Sequence, residues 1–143
     1  MRALATLLLA LFAPVAAQAA ELVAGVLRVE TEAPLPISRL DLPADDRGFA
    51  GARLATEDNR TTGGFLGHSY ETIEIAALPE DAEAALDSLI DVGVRFVVAI
   101  ADADALIALA DRAAERDAVI LNVSAPDDRL RGADCRANLL NVT

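Results

Sequence analysis

The sequence predicts an α/β fold: a Rossmann-like parallel sheet with strand order 2-1-3-4-5. Three observations point to it. Short apolar runs alternate with helical segments from residue 21 onward, as strand–helix–strand units require. Two of the runs, RFVVAI at residues 95–100 and AVILNV at residues 118–123, are apolar without alternation, as in parallel strands covered on both faces. The run at residues 69–76 is only partly apolar and alternates, which suits an edge strand and sets the order by right-handed crossovers.

The elements follow in sequence. Residues 21–29 (ELVAGVLRV) are rich in Val and Leu and read as a buried first strand. Residues 30–43 carry three prolines and form a long loop at its carboxyl end, a length often tied to function. Asp45 and Asp46 then suit a helix N-terminus, where the macrodipole is positive. In residues 48–67 (GFAGARLATEDNRTTGGFLG), Gly48, Gly51, Ala52, Ala55 and Asn59 share one helical side. Small residues there predict close packing on a sheet, and Gly63-Gly64 predicts the helix end, where glycine relieves the left-handed conformation. In the edge strand, Glu71, Ile73 and Ile75 face one side and Tyr70, Thr72 and Glu74 the other. Residues 79–92 form a helix with Ala82, Ala85, Leu86, Leu89 and Ile90 as its apolar stripe, ended by Gly93. Residues 102–115 form the third helix, with Leu106, Leu109, Ala110 and Ala113 on one face. A polar loop at 124–132 leads to a possible fifth strand within residues 135–142.

Residues 1–19 carry a leader pattern: Arg2, an apolar run at 4–13 too short to span a bilayer, and the small-residue cleavage signal Ala17-Gln18-Ala19. The mature chain is expected to begin near Ala20, in the periplasm, with no later segment that inserts in a membrane. The net charge of −11 excludes a phosphate-binding surface for nucleic acid. Cys135 is the single cysteine, so no disulfide closes within the chain.

Catalytic and cofactor signatures are missing. No G-x-G-x-x-G follows the first strand, no phosphate-binding G-x-x-x-x-G-K-[ST] occurs, and no G-x-S-x-G elbow is present. One His and one Cys do not make a usual zinc site. The expectation is a protein without cofactor or metal, and not an enzyme. Asp102 and Asp104, with Asp127 and Asp128, lie just after strand ends, where open α/β sheets bind ligands. They read more simply as helix caps (Asp102, Asp104) and turn residues (Asp127, Asp128). Ser124 follows the fourth strand, and its hydroxyl can serve a small polar ligand or a turn. Asn59 suits a tie to a helix-end carbonyl better than a ligand group, and His68 an exposed position before the edge strand.

The stretch GFAGARLATEDNRTTGGFLG resembles the first-helix motif of type I periplasmic solute-binding proteins of the branched-chain amino acid class, and VRFVVAIADADALIALADRA and AVILNVSAPDDRLRG resemble their third and fourth strand units. SAPDDRLRGADCRANLL looks like the subgroup associated with pyrroloquinoline-quinone-dependent alcohol oxidation. The resemblance implies a periplasmic substrate-binding component of an ABC-type transporter, with a small-molecule ligand and membrane subunits as partners. It further implies that residues 20–143 are a truncated, partial N-terminal lobe. A ligand would meet the loops at Glu30, Thr31, Ala101, Asp102, Ser124 and Ala125. Family members tend to place small hydroxyl residues after the third strand, whereas Ala101-Asp102-Ala103 stands here and would repel an anionic group. The alternative is a sensory or accessory module that contacts a periplasmic quinoprotein or a membrane partner.

Overall fold

A computed structural model describes residues 19–31, 37, 38, 42 and 44–143. The predicted leader, apart from Ala19, and most of the loop after the first strand lie outside the described residues. The elements are β1 (Glu21–Val29), α1 (Phe49–Gly63), β2 (Ser69–Ala77), α2 (Ala82–Asp91), β3 (Phe96–Ile100), α3 (Ala103–Ala114), β4 (Val119–Asn122) and β5 (Leu139–Asn141). Single 3-10 turns precede β2, α2 and β5. The five strands form one sheet in the order β2-β1-β3-β4-β5, every pair parallel. This is the α/β, Rossmann-like architecture that the alternating segments predict.

The core lies on one face of this sheet. Leu86, Leu89 and Ile90 of α2 and Leu106, Leu109 and Ala113 of α3 are buried against Leu27, Val97, Ala99 and Ile120. Each fully buried leucine contributes about 2 kcal/mol from apolar transfer. Ile73 and Ile75 of β2 pack against the same cluster, as their alternation predicts.

On the opposite face α1 covers only β2 and its border with β1. The Thr56 and Thr72 hydroxyls are hydrogen-bonded, Arg53 holds Glu74 at 2.6 Å, and Arg60 donates to the Tyr70 carbonyl at 2.8 Å. Three expectations for this helix need correction. Gly51 and Ala55 are exposed and do not pack on the sheet; Phe49 and Gly63 are the residues of α1 that are buried. The helix does end at Gly63, with Gly64 as its C-cap, as the double glycine predicts, but both are right-handed, and the left-handed residue is Gly67 at φ 74°, after a further 3-10 turn. Gly63 is needed for space instead: a Cβ there would lie 2.2 Å from Cε2 of Tyr70. Asp45 and Asp46 fall in the turn before the helix, not in its first turn, although the Asp46 carbonyl accepts from Phe49 and Ala50.

Beyond α1 the same face is bare among the described residues. Register places Val26, Val98, Leu121 and Leu140 in one row across four strands. Around that row, Phe96 is 57% exposed, Leu140 52% and Val142 65%. The near-continuous apolar strands are therefore covered on one face and only partly on the other. No helix among the described residues is long and apolar enough to cross a membrane.

Ion pairs lock α2 to α3. Arg112 grips Asp87 with bonds of 3.0 and 2.8 Å, and Arg116 reaches Asp91 at 2.5 Å. The hydrogen bond from Arg112 holds the Asp87 carboxyl below its ordinary value of 3.8. A second clamp joins Arg136, in the loop before β5, to Asp111 of α3, whose carboxyl is lowered by the same kind of bond.

Two outcomes follow from the one-sided core and its clamps. In denaturant titrations, Leu106→Ala is expected to cost about 2–5 kcal/mol, because it opens a cavity in the closed face. Phe96→Ser, on the bare face, is expected to cost less than about 1 kcal/mol and to reduce self-association in sedimentation measurements. For acid, a carboxylate with a lowered folded pKa adds stability that is complete above its unfolded value. That stability disappears as pH falls through the folded value. The melting temperature should thus fall below about pH 4, and Asp87→Asn should make that fall shallower while lowering stability at neutral pH.

Candidate functional site

The carboxyl ends of β1, β3 and β4 open into one cleft of about 360 Å³. Thr31 follows β1, Ala101 and Asp102 follow β3, and Ser124 and Ala125 follow β4; all five line it. Arg47, Ile100 and Asp127 complete much of the wall. Of the sequence candidates, Glu30 is the one placed elsewhere. It faces an adjacent hollow with Arg28, Ala44 and Asp45, and pairs with Arg28 at 2.7 Å.

Each wall has a local reason. Asp102 is extended and caps α3, its Oδ1 accepting from the Ala105 amide at 2.9 Å. Ser124 joins two strand ends: its hydroxyl accepts from the Ala101 amide at 2.9 Å and donates to the Ala101 carbonyl at 2.8 Å. Asn122, with no exposed surface, lies beneath the β4 loop. Its Oδ1 accepts from Ser124 and Ala125 amides at 3.1 and 2.9 Å. Its buried side chain was not singled out from the sequence, where it sits inside an apolar run. A polar residue inside an otherwise apolar strand run is the signal that could have found it.

The acidic residues divide by partner. Arg129 bonds Asp104 at 2.6 Å and Asp127 at 3.1 Å, and Asp104 holds that guanidinium above its ordinary value. Asp127 also accepts from the Arg129 amide, capping the 3-10 turn. Asp102, Asp104 and Asp127 therefore act as caps and ion-pair partners rather than as one free cluster. Among the described residues no group of His, Cys, Asp and Glu side chains is placed to hold a metal. Arg47 is exposed, lines both the cleft and the adjacent hollow, and has no side-chain hydrogen bond or ion pair among the described residues. It was missed because its loop position carries no periodic signal.

The entrance to this wall is held by Arg28. Its guanidinium lies 4.7 Å from the Phe49 ring centroid and donates to the Asp45 and Arg47 carbonyls at 2.9 and 3.1 Å. The turn that presents Arg47 is thereby fixed to β1. Asn59, expected to tie a helix-end carbonyl, instead lines the groove between α1 and the bare sheet. His68 is half-buried and accepts from the Ala20 amide at 2.9 Å, so it is not the exposed residue expected. Cys135 is exposed and free, away from the cleft.

No family model matches the sequence, and no curated protein matches it. Among solved structures, the chain is similar to a leucine-, isoleucine-, valine-, threonine- and alanine-binding protein from Brucella ovis in its closed conformation. The TM-score is 0.55 at 17% identity, over 83% of this chain and 31% of that protein. The chain thus spans about a third of the length of the binding protein it matches. At that identity the likeness shows the fold alone, a Rossmann-like parallel sheet. A PatG macrocyclase domain aligns over 86% of the chain at a TM-score of 0.36 and 10% identity, too low to bear on the fold.

The capping role gives a direct expectation. Asp102→Ala should lower stability by about 1 kcal/mol in denaturant unfolding, whereas Asp102→Asn, which keeps a capping oxygen, should cost a few tenths.

Proposed function

We propose that this chain is a solute-binding unit of the periplasmic kind, taking a small molecule at the carboxyl ends of β1, β3 and β4. The observation that carries this is the convergence of Thr31, Ala101, Asp102, Ser124 and Ala125 on one open cleft. The binding-protein neighbour supports a binding rather than a catalytic role. On this reading residues 1–19 are a cleaved secretory leader and residues 20–143 are part of an N-terminal lobe. The chain then works in the periplasm, bound solute passing to the membrane subunits of an ABC-type transporter. Glu30 would act from the neighbouring hollow, through Arg28 and the turn carrying Arg47.

The ligand class follows from the charges at the rim. Arg47 offers a guanidinium with no ion-pair partner among the described residues, and Asp102 places a carboxylate across the same cleft. A molecule with both an acceptor and a donor end fits these two groups. A link to pyrroloquinoline-quinone-dependent alcohol oxidation rests on the segment at residues 124–140 alone, which here forms the β4 loop, a 3-10 turn and β5. The second reading, an accessory module that contacts a quinoprotein or a membrane partner, draws support from the bare apolar face beside α1.

The test is thermal shift and calorimetry with leucine, isoleucine, valine, threonine, alanine, short alcohols, aldehydes and the quinone cofactor. A ligand at a hundred times its Kd stabilises by about 2.7 kcal/mol, a rise of several degrees in Tm. The expected result is such a rise with one solute class, abolished by Arg47→Ala. No rise with any of them would remove the binding reading and leave the accessory one.

A further inference from the structure

The last three residues of the chain converge on the loop that forms the cleft's β4 wall. Asn141 Oδ1 accepts from Asn122 Nδ2 at 2.9 Å, Val142 donates its amide to the Asn122 carbonyl at 2.9 Å, and Thr143 Oγ1 donates to the Ala125 carbonyl at 3.1 Å. We propose that Asn141, acting through the buried amide of Asn122, and Thr143, acting directly on the Ala125 carbonyl, are positioning residues for the site loop at Ser124–Ala125, so that the seating of β5 decides whether the β4 wall is formed. The role of that loop in ligand binding rests on the function proposed above; the hydrogen-bond relay does not.

The hydrogen-bonding capacity of Asn122 carries the argument. A side-chain amide has one acceptor oxygen and two donor protons. The Asn122 oxygen is taken by the two loop amides, and one proton goes to the Ala125 carbonyl at 2.7 Å. The remaining proton has Asn141 Oδ1 as its acceptor. With Asn122 wholly buried, loss of that acceptor leaves a buried donor without its partner. Asn141 also fixes which way the Asn122 amide faces. The reversed amide would direct its protons at the loop N–H groups and its oxygen at two oxygens.

Asn141 is itself oriented by donating to the Leu130 carbonyl at 3.3 Å, and Leu130 is buried in the 3-10 turn that carries Arg129. Arg129 in turn bonds Asp127 of the cleft wall at 3.1 Å and Asp104 of α3 at 2.6 Å. Thr143 gives the Ala125 carbonyl its second donor, beside Asn122. The geometry therefore runs without a break from β5 to the loop and to the rim. Among the described residues β5 and β2 are the two edges of the sheet, and β5, with three residues against nine, is the one more readily displaced.

Amide hydrogen exchange on the full chain, read residue by residue by NMR, tests the relay without any ligand. Asn141→Ala is expected to speed exchange at Ser124 and Ala125 by about tenfold, with Leu89 and Leu109 in the helices unchanged. Asn141→Asp keeps the acceptor and should stay within about threefold of the unaltered chain at both amides. Thr143→Val, at an exposed strand end, should speed exchange at Ala125 and provides the test if Asn141→Ala does not fold. Unchanged rates at Ser124 and Ala125 in Asn141→Ala and Thr143→Val would overturn the proposal. So would an acceleration shared equally by Leu89 and Leu109, which would mean general loss of stability. Leucine titration of the same samples separates the two ideas. If leucine binds and Asn141→Ala leaves its affinity unchanged, the relay does not position the site. If leucine does not bind the unaltered chain, that result bears on the proposed function, and the exchange rates alone judge the relay.

Discussion

The structure depends on the burial of one sheet face by two helices. Leu86 and Leu89 from α2 and Leu106 and Leu109 from α3 close over Leu27, Val97, Ala99 and Ile120, and none of the eight is more than marginally exposed. This packing fixes the positions of β1, β3 and β4 relative to one another, and hence of their carboxyl ends. Glycine at position 25 lets α2 come close: a Cβ there would lie 2.9 Å from Leu89 Cδ1. The ion pairs of Arg112 and Arg116 sit at the rim of this packing, where water screens them. They set the register of α2 on α3 more than they add to stability.

The cleft that results is built largely from groups already satisfied by the fold. Ser124 is bonded twice to Ala101, Asp102 caps α3, and Asp127 and Asp104 share Arg129. Such a wall is rigid and offers a ligand mainly shape, exposed lone pairs and the Arg47 guanidinium. Rigidity here has a physical source in Asn122, because a buried amide with all its bonds made leaves the loop above it one arrangement.

Much of this was legible in the sequence, and the failures have definable causes. The apolar runs at 95–100 and 118–123 and the alternation at 69–76 were enough to order the sheet, because period and apolar content report directly on burial. The stripe on α3 read true for the same reason, with Leu106, Leu109, Ala110 and Ala113 all buried. The small residues of α1 misled. Helical spacing shows that Gly51, Ala52 and Ala55 lie on neighbouring sides, not that the sheet lies under them, and α1 is rotated so that Gly51 is fully open. In the site, strand ends were predictable from topology alone, which is why Thr31, Ala101, Asp102, Ser124 and Ala125 come together. Glu30 falls outside because it is still in register with the end of β2, its amide bonded to the Ala77 carbonyl, with its side chain turned to Arg28. Arg28 and Arg47 take their places from contacts between residues distant in sequence, which no local pattern encodes, whereas Asn122 was visible as a polar residue inside an apolar run.

One consequence concerns how this molecule reports on itself in light. It has one tyrosine and no tryptophan. Tyr70 lies in β2 with its ring against the space left by Gly63, at the seam between α1 and the sheet's outer strand. Its emission therefore reads the seam between α1, a helix with few buried side chains, and β2, rather than the leucine core on the far face. A fluorescence melt of this chain samples one edge of the fold, where a circular dichroism melt sums over every helix and strand.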